Sequence, residues 1–130
     1  MSGIIFFKTR ELNKIKDFYV KRIGMEIWLE QTDCVIMKHD NLLLGFCQRE
    51  EMENQGIITF FYENTDQVYD MYKKFRLEAL AEPVVNEKYN IYHFFIKDPE
   101  GRLVEFQTFL PQQKGTGTFF ISILLAYLAV

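Results

Sequence analysis

The chain contains two copies of one supersecondary pattern. An apolar, strand-like run opens each copy, at residues 4–8 and 57–61. An amphipathic helical pattern follows each run and ends in similar sequences at residues 17–21 and 70–74. The offset between the copies is the same for the strand and for the helix. A repeat of this length predicts two similar modules packed around a shared concavity.

Periodicity and turn residues predict the same order in both modules, namely a strand, a helix and three further strands. The predicted strands cover residues 4–8, 25–31, 33–39, 42–48, 57–63, 82–86, 91–97 and 102–109, and the predicted helices cover residues 11–22 and 65–77. The predicted caps are Thr9 for the first helix and Asn64 or Thr65 for the second. Gly24 should end the first helix, and Asp40-Asn41 and Pro99-Glu100-Gly101 should form turns.

We expect residues 1–110 to form a single domain, with module one at 3–48 and module two at 56–109. Residues 111–130 should be a linker and an apolar C-terminal tail, the tail beginning at residue 119. As a helix the tail would reach only about 18 Å, which is too short for a bilayer core of roughly 30 Å. It is therefore expected to pack on this subunit or a neighbour, to plug the ligand pocket, or to be an abnormal terminus.

Composition excludes some classes of partner and leaves others open. The formal charge is −3 and no basic run is present, so nucleic acid is not an expected partner. Thirteen Phe and seven Tyr are enough for a core and for the walls of an apolar pocket. The first residues do not resemble a secretory signal, which favours a reducing, cytoplasmic location. Cys34 should lie opposite Cys47 across a hairpin, and two reduced thiols are favoured over a redox pair.

Two motifs stand out, Phe18-Tyr19 with residues 21–26 and the run at residues 98–106. Together with the repeat, they resemble the vicinal oxygen chelate superfamily. This superfamily includes glyoxalase I, the extradiol dioxygenases and the fosfomycin- and bleomycin-resistance proteins. One motif is Phe18-Tyr19 followed by residues 21–26, similar to the family's "FY…LG" helix end; the other is residues 98–106, similar to its "DPxGxxxE" hairpin. The resemblance covers about residues 3–109. It implies an α+β fold in which two βαβββ modules form a cupped, barrel-like mixed sheet with helices outside, and it implies a homodimer.

The same resemblance implies a position for a divalent metal ion, and the residues found there argue against one. The family's ligand positions correspond to Ile4, Gly45, Ile57 and Glu105, of which only Glu105 has a side chain that can bind a metal. A catalytic divalent site usually has about three protein ligands. The sequence therefore predicts no metal and no other cofactor.

A lone carboxylate in an apolar environment should either pair with a cation or take up a proton. For Glu105 the candidate cation is Lys8, because strand alternation can turn both residues to one surface. Glu105 then has three possible roles: a structural hydrogen-bond acceptor, a substrate-recognition group, or a weak candidate for a general base. A surface or structural role is favoured over a ligand role for His39 and His93.

The sequence therefore predicts a metal-free protein that binds a small molecule in an apolar, aromatic cup, similar to the bleomycin-resistance proteins. The alternative is a divalent-metal-dependent glyoxalase-like lyase or isomerase, or a dioxygenase. The predicted pocket residues are Phe6, Lys8, Trp28, Thr59, Phe61, Tyr92, Glu105 and Gln107. No phosphate loop or nucleophile elbow is present, so whether the chain is an enzyme stays open.

Overall fold

The computed structural model describes residues 2–111, and its elements follow the predicted order. The strands are β1 (Ile4–Thr9), β2 (Glu26–Glu30), β3 (Cys34–His39), β4 (Leu42–Gln48), β5 (Ile57–Tyr62), β6 (Val84–Asn86), β7 (Ile91–Lys97) and β8 (Leu103–Phe109), and the helices are α1 (Leu12–Asp17) and α2 (Thr65–Lys74). No helix among these residues is both long and apolar enough to cross a bilayer. The apolar tail at 119–130 lies outside the described residues, so its packing stays a prediction.

The strands form two four-stranded sheets with the same order. The first is β1-β4-β3-β2 and the second is β5-β8-β7-β6. In the first sheet β1 runs parallel to β4, whereas β2 and β3 pair in the antiparallel sense. A two-residue turn sets the register of β3 on β4, and Asp40 occupies it with a φ of 50°. The predicted α+β class with two βαβββ modules is confirmed, and its strands form two sheets rather than one continuous sheet.

The described part of the chain divides into two compact units. The first unit contains residues 2–58 and 97–104, and the second contains residues 59–96 and 105–111. The hairpin at 97–104 thus belongs to the first unit, although it joins two strands of the second sheet. The prediction of one domain over residues 1–110 stays a prediction.

The first helix starts in a way that the sequence did not indicate. The backbone N–H of Leu12, its first residue, donates to the side-chain oxygen of Gln48 at 2.9 Å. Thr9, the predicted cap, instead accepts from the N–H of Glu11 at 3.0 Å, before the helix begins. A side chain from β4 therefore satisfies the helix end that a local cap was expected to satisfy.

The end of the first helix is close to the prediction. A π-helical turn over Phe18–Ile23 continues α1, and the carbonyl of Tyr19 then accepts from the N–H groups of Gly24 and Met25. Gly24 has a φ of 98°, which is strained for a residue with a Cβ atom. The wide turn buries Tyr19 completely.

The second unit has an aromatic core between its sheet and α2. The ring of Phe106 lies 5.0 Å from Phe94, 5.5 Å from Phe75 and 5.9 Å from Phe60, in each case between ring centroids. The predicted cap Asn64 is confirmed, because its side-chain oxygen accepts from the N–H of Gln67 at 2.9 Å. This core packs one face of the second sheet against α2, so the side chains of the other face point away from the helix.

The prediction of two reduced thiols is wrong, because Cys34 and Cys47 form a disulfide. The two residues are directly opposite each other in the antiparallel pairing of β3 and β4, with Cα atoms 4.1 Å apart. The predicted hairpin was right and brought the sulfur atoms together. Only the expectation drawn from a reducing compartment failed.

Candidate functional site

The face of the second sheet that is turned away from α2 carries polar and aromatic side chains. Side chains alternate along a strand, so Phe94 and Phe106, which pack toward the helix, leave His93 and Glu105 on the opposite face. Thr59 is on that face too, because its hydroxyl donates to Glu105. The neighbouring strands β5, β8 and β7 each contribute one of these three residues.

Aromatic rings and one amide surround the three polar residues. Phe61 and Phe109 meet with ring centroids 6.0 Å apart, and His93 meets Phe95 at 5.2 Å. Phe109 is 45% exposed, and the others are half-buried. We call this surface the polar–aromatic face; its residues are Thr59, Phe61, His93, Phe95, Glu105, Gln107 and Phe109.

The centre of the polar–aromatic face is a hydrogen-bonded carboxylate. Nδ1 of His93 lies 2.6 Å from Oε2 of Glu105, and the hydroxyl of Thr59 donates to Oε1 at 2.9 Å. The side chains of His93 and Glu105 are 12% and 11% exposed. Within the second unit the partner of Glu105 is His93, since β7 lies directly beside β8 in the sheet. The predicted partner Lys8 belongs to the first unit, and its pairing with Glu105 stays a prediction.

This geometry determines which nitrogen of His93 carries the proton. An ionised carboxylate only accepts hydrogen bonds, and both oxygens of Glu105 do so here. Nδ1 of His93 is then the donor, and Nε2 of the neutral ring keeps a lone pair. A carboxylate on one nitrogen orients the imidazole and fixes its tautomer, which leaves the other nitrogen for a ligand or a proton.

Four of the predicted pocket residues lie together on the polar–aromatic face: Thr59, Phe61, Glu105 and Gln107. The structure places Tyr92 elsewhere, because it shares the helix-facing side of β7 with Phe94. Burial first, and then the nearby Tyr69 of α2, raise the pKa of Tyr92. The sequence showed that β7 alternates, but both of its faces carry aromatic and aliphatic residues, so it did not show which face met the helix.

The other predicted pocket residues, Phe6, Lys8 and Trp28, belong to the first unit. Trp28 lies at a β-bulge in the edge strand β2 and is 52% exposed. The ring of Phe6 crosses its β4 partner Gly45, where an added Cβ atom would lie 2.4 Å from the ring. The polar–aromatic face therefore contains only those predicted pocket residues that belong to the second unit.

Sequence reasoning missed His93 and Phe95 as site residues. The sequence places His93 in the strand before the Asp98-Pro99 turn and favours a surface or structural role for it. The only available signal was alternation, since His93 and Phe95 share one face of a strand that pairs with the strand of Glu105. Alternation identifies His93 and Phe95 as site residues only when it is known which side of β7 faces the helix.

A second polar cluster lies in the first unit, around the hairpin at 97–104. Arg102 donates from Nη1 to Asp98 at 3.1 Å and to Glu100 at 2.9 Å, and from Nη2 to the carbonyl of Lys8 at 2.8 Å. The hydroxyl of Tyr19 donates to Asp98 at 2.8 Å. The two motifs that carry the family resemblance thus meet through a buried hydrogen bond between Tyr19 and Asp98.

The environment of this cluster shifts two of its pKa values. Burial first, and then the negative charge of Asp98, raise the pKa of Tyr19, so its hydroxyl remains a donor. Burial alone would raise the pKa of Glu100, but hydrogen bonds from Thr9, Arg10 and Arg102 outweigh it and the pKa is lowered. The cluster uses its polar atoms internally, apart from Nε of Arg102, which has no partner among the described residues. We regard the cluster as structural.

An open groove in the first unit is less suited to a small apolar ligand. Its lining residues are Arg10, Glu11, Leu12, Asn13, Lys14, Thr32, Asp33 and Gln48. Most of these side chains are charged or polar, and the groove is wide open to solvent. Ligand sites are usually concave and mainly apolar, with few polar groups.

Comparison with solved structures establishes the fold. A lactoylglutathione lyase from Agrobacterium tumefaciens superposes with a TM-score of 0.68 and 20% identity, covering 83% of this chain and 92% of that chain. The chain has the glyoxalase/bleomycin-resistance fold. A protein of the glyoxalase/bleomycin resistance/dioxygenase type from Nocardioides has a TM-score of 0.70 and 14% identity, with 88% and 89% of the two chains covered. An integron cassette protein from a Halifax Harbour sewage metagenome reaches 0.72 at 18% identity, with 83% and 97% covered.

The sequence itself matches no family model and no curated protein. At these identities the likeness to solved structures carries the fold and not the activity. The resemblance seen in the sequence is confirmed at this level. The chemistry must be argued from the residues of this chain.

The residues at the family's ligand positions do not fit a divalent metal ion. Ile4, Gly45 and Ile57 have no donor side chain, and both oxygens of Glu105 already accept hydrogen bonds. No group of three or more His, Cys, Asp or Glu residues suited to a metal occurs within residues 2–111. A divalent site needs more protein ligands than this set offers.

Proposed function

We propose that this protein binds a small molecule on the polar–aromatic face and does so without a metal ion. The observation that carries the proposal is the Thr59–Glu105–His93 cluster, an oriented imidazole placed among aromatic rings. Aromatic walls with a few placed polar groups are typical of small-molecule sites. The sequestering proteins of the bleomycin-resistance type are the functional class that this arrangement resembles most.

The alternative is a divalent-metal-dependent glyoxalase-like lyase or isomerase, or a dioxygenase. One structural neighbour is described as a lactoylglutathione lyase, but at 20% identity its description does not transfer. The donor set described above disfavours this alternative. Elemental analysis of the purified protein separates the two: the proposal expects no stoichiometric zinc, nickel, manganese or iron.

The experiment that tests the proposal is a ligand screen followed by mapping. Thermal shift against bleomycin, other antibiotics and aromatic metabolites should identify binders, because a ligand that binds only the native state raises Tm. Amide shifts in ¹⁵N spectra should then change at Thr59, Phe95 and Glu105 and stay constant at Asn13 and Thr32 in the groove. Binding confined to the groove, or a tightly bound divalent ion, would contradict the proposal.

Three further properties stay proposals. We propose a homodimer, as the sequence resemblance implied, and light scattering of the purified protein tests it.

We propose a cytoplasmic location, against which the Cys34–Cys47 disulfide weighs, because cytosolic thiols are normally kept reduced. Alkylation of cysteines in intact cells, with and without prior reduction, decides whether the disulfide exists there. We also propose one domain over residues 1–110, which limited proteolysis can test.

A further inference from the structure

We infer that Nε2 of His93 selects the ligand by accepting a hydrogen bond from it. The polar–aromatic face would then take ring compounds that carry an O–H or N–H donor, such as phenols, in preference to the same rings without one. This inference rests on the proposed function and names the ligand class of the same site. It is carried by three features of the face.

The first feature is the fixed tautomer of His93. Oε1 of Glu105 accepts from Thr59, and Oε2 lies 2.6 Å from Nδ1 of His93. Because a carboxylate has no proton to donate, the hydrogen of this short contact belongs to Nδ1. In the neutral imidazole with its proton on Nδ1, Nε2 presents a lone pair and can accept a hydrogen bond from a ligand.

The second feature is that Nε2 is unused and accessible among the residues that the structure describes. No residue within 2–111 forms a hydrogen bond with this atom. Nε of Arg102 is the only buried side-chain nitrogen or oxygen that lacks a partner in the same residues. Within residues 2–111, Nε2 therefore keeps contact with solvent, and a ligand can reach it without displacing a side chain of that part of the chain.

The third feature is the wall around this nitrogen. The ring of Phe95 lies 5.2 Å from the imidazole, and Phe61 and Phe109 extend the apolar surface along β5 and β8. Rings supply area for a flat ligand but discriminate weakly between similar apolar molecules. A placed acceptor discriminates better, because a ligand without a donor leaves it desolvated and unpaired.

The test compares 4-methylphenol with its methyl ether, 4-methylanisole, in which a methyl group replaces the hydrogen that the phenol donates. Each probe is titrated into the ¹⁵N-labelled full chain near neutral pH, and Kd is taken from the amide shifts of Thr59, Phe95 and Glu105. We expect the phenol to bind roughly threefold to tenfold more tightly, as one net hydrogen bond provides. The ¹⁵N resonance of His93 Nε2 should move with the phenol and not with the ether, a readout that needs no variant.

His93→Phe keeps a ring at this position and removes the acceptor. In this variant the two probes should bind with equal Kd. His39→Phe is the matched control, because it makes the same substitution in β3 of the first unit and should preserve the preference. If His93→Phe does not fold, the His93 Nε2 resonance of the unmodified chain decides the question.

The outcomes separate this inference from the proposed function. Equal binding of both probes to the unmodified chain, or tighter binding of the ether, overturns the inference and leaves ring binding on this face intact. A preference for the phenol that survives in His93→Phe, or comes with an unmoved Nε2 resonance, overturns the role of His93. If neither probe, nor any compound from the ligand screen, shifts amides of this face, the proposed function fails and the inference fails with it.

Discussion

The two polar clusters of this protein are built from similar groups and differ in burial and in how many of their polar atoms have partners. In the first unit, Arg102 and Asp98 have side chains that are 1% and 0% exposed, and their contacts lie within the hairpin and its immediate neighbours. In the second unit, His93 and Glu105 keep 12% and 11% exposure, and one nitrogen has no protein partner among the described residues. A cluster that satisfies its groups internally holds the fold together. A cluster that presents an unused atom among aromatic rings has the properties of a binding site.

The comparison predicts that changes in the first cluster mainly cost stability, whereas changes in the second mainly alter binding. The largest expected effect is that of Arg102→Met, which leaves Asp98 and Glu100 buried without their cation. Breaking a buried ion pair by removing one partner typically costs about 3–5 kcal/mol in the free energy of unfolding. Urea denaturation measures the loss.

Arg49→Met is the matched control for this change. Arg49 pairs with Asp33 at 2.9 Å, but its side chain is 45% exposed, so its loss should cost only about 0–1 kcal/mol. Equal losses of stability in the two arginine variants would contradict the structural role assigned to the first cluster.

Tyr19→Phe should have the next largest effect. It removes the hydroxyl that donates to Asp98 at 2.8 Å and leaves a buried carboxylate with one donor fewer, at a cost of about 1–3 kcal/mol. Tyr89→Phe, at a residue that is 62% exposed, is the control and should cost almost nothing. Denaturant midpoints for both variants decide the matter, and a Tyr89 effect as large as that of Tyr19 would refute the assignment.

The same hydroxyl should make stability fall at alkaline pH. The pKa of Tyr19 is raised in the folded state, first by burial and then by Asp98, whereas an unfolded tyrosine ionises near pH 10. The contribution of Tyr19 is therefore complete below about pH 10 and decreases as the pH rises further. Tm measured across this range should fall less steeply in Tyr19→Phe than in the unmodified chain.

Glu100 should make a smaller contribution of opposite pH dependence. Its pKa is lowered in the folded state, because hydrogen bonds from Thr9, Arg10 and Arg102 outweigh burial. Its stabilisation is therefore present above the unfolded value of about 4.3 and is lost as the pH falls through the folded value. Glu100→Gln should lower stability by about 1–2 kcal/mol near neutral pH and flatten the acid limb of Tm against pH.

Glu30→Gln is the control for the acid limb. Glu30 pairs with Lys16, but its side chain is 53% exposed, so the acid limb should keep its slope. A flattened limb in this variant, with an unchanged one in Glu100→Gln, would locate the acid sensitivity outside the first cluster.

Thr59→Val should have the smallest effect on stability and a specific effect on the site. It removes one hydrogen bond to a partly exposed carboxylate, at about 1 kcal/mol, and releases Glu105 from one of its two contacts. The ¹⁵N resonances of His93 should then shift, because the carboxylate that orients the ring is held less firmly. Thr108→Val, which removes the hydroxyl bonded to the carbonyl of Tyr62, should leave those resonances unchanged.

Within residues 2–111, local patterns were enough to predict the order of the eight strands and two helices, but not the π-helical turn over Phe18–Ile23. The repeat marked the two modules, Gly24 marked the end of the first helix, and Asn64 marked the start of the second. The turn at Asp40 even placed Cys34 opposite Cys47. These features depend on backbone sterics and short-range hydrogen bonds, which neighbouring residues dictate.

Long-range contacts decided the rest. Gln48 replaced Thr9 at the start of α1, and His93, a residue that sequence reasoning missed, bonds to Glu105 within the second unit. Each of these pairings joins residues that are distant in sequence and adjacent only in the folded sheet. Amino-acid order specifies which face of a strand two residues share, but which face meets the helix depends on packing. That choice of face placed an imidazole beside Glu105 and turned Tyr92 away.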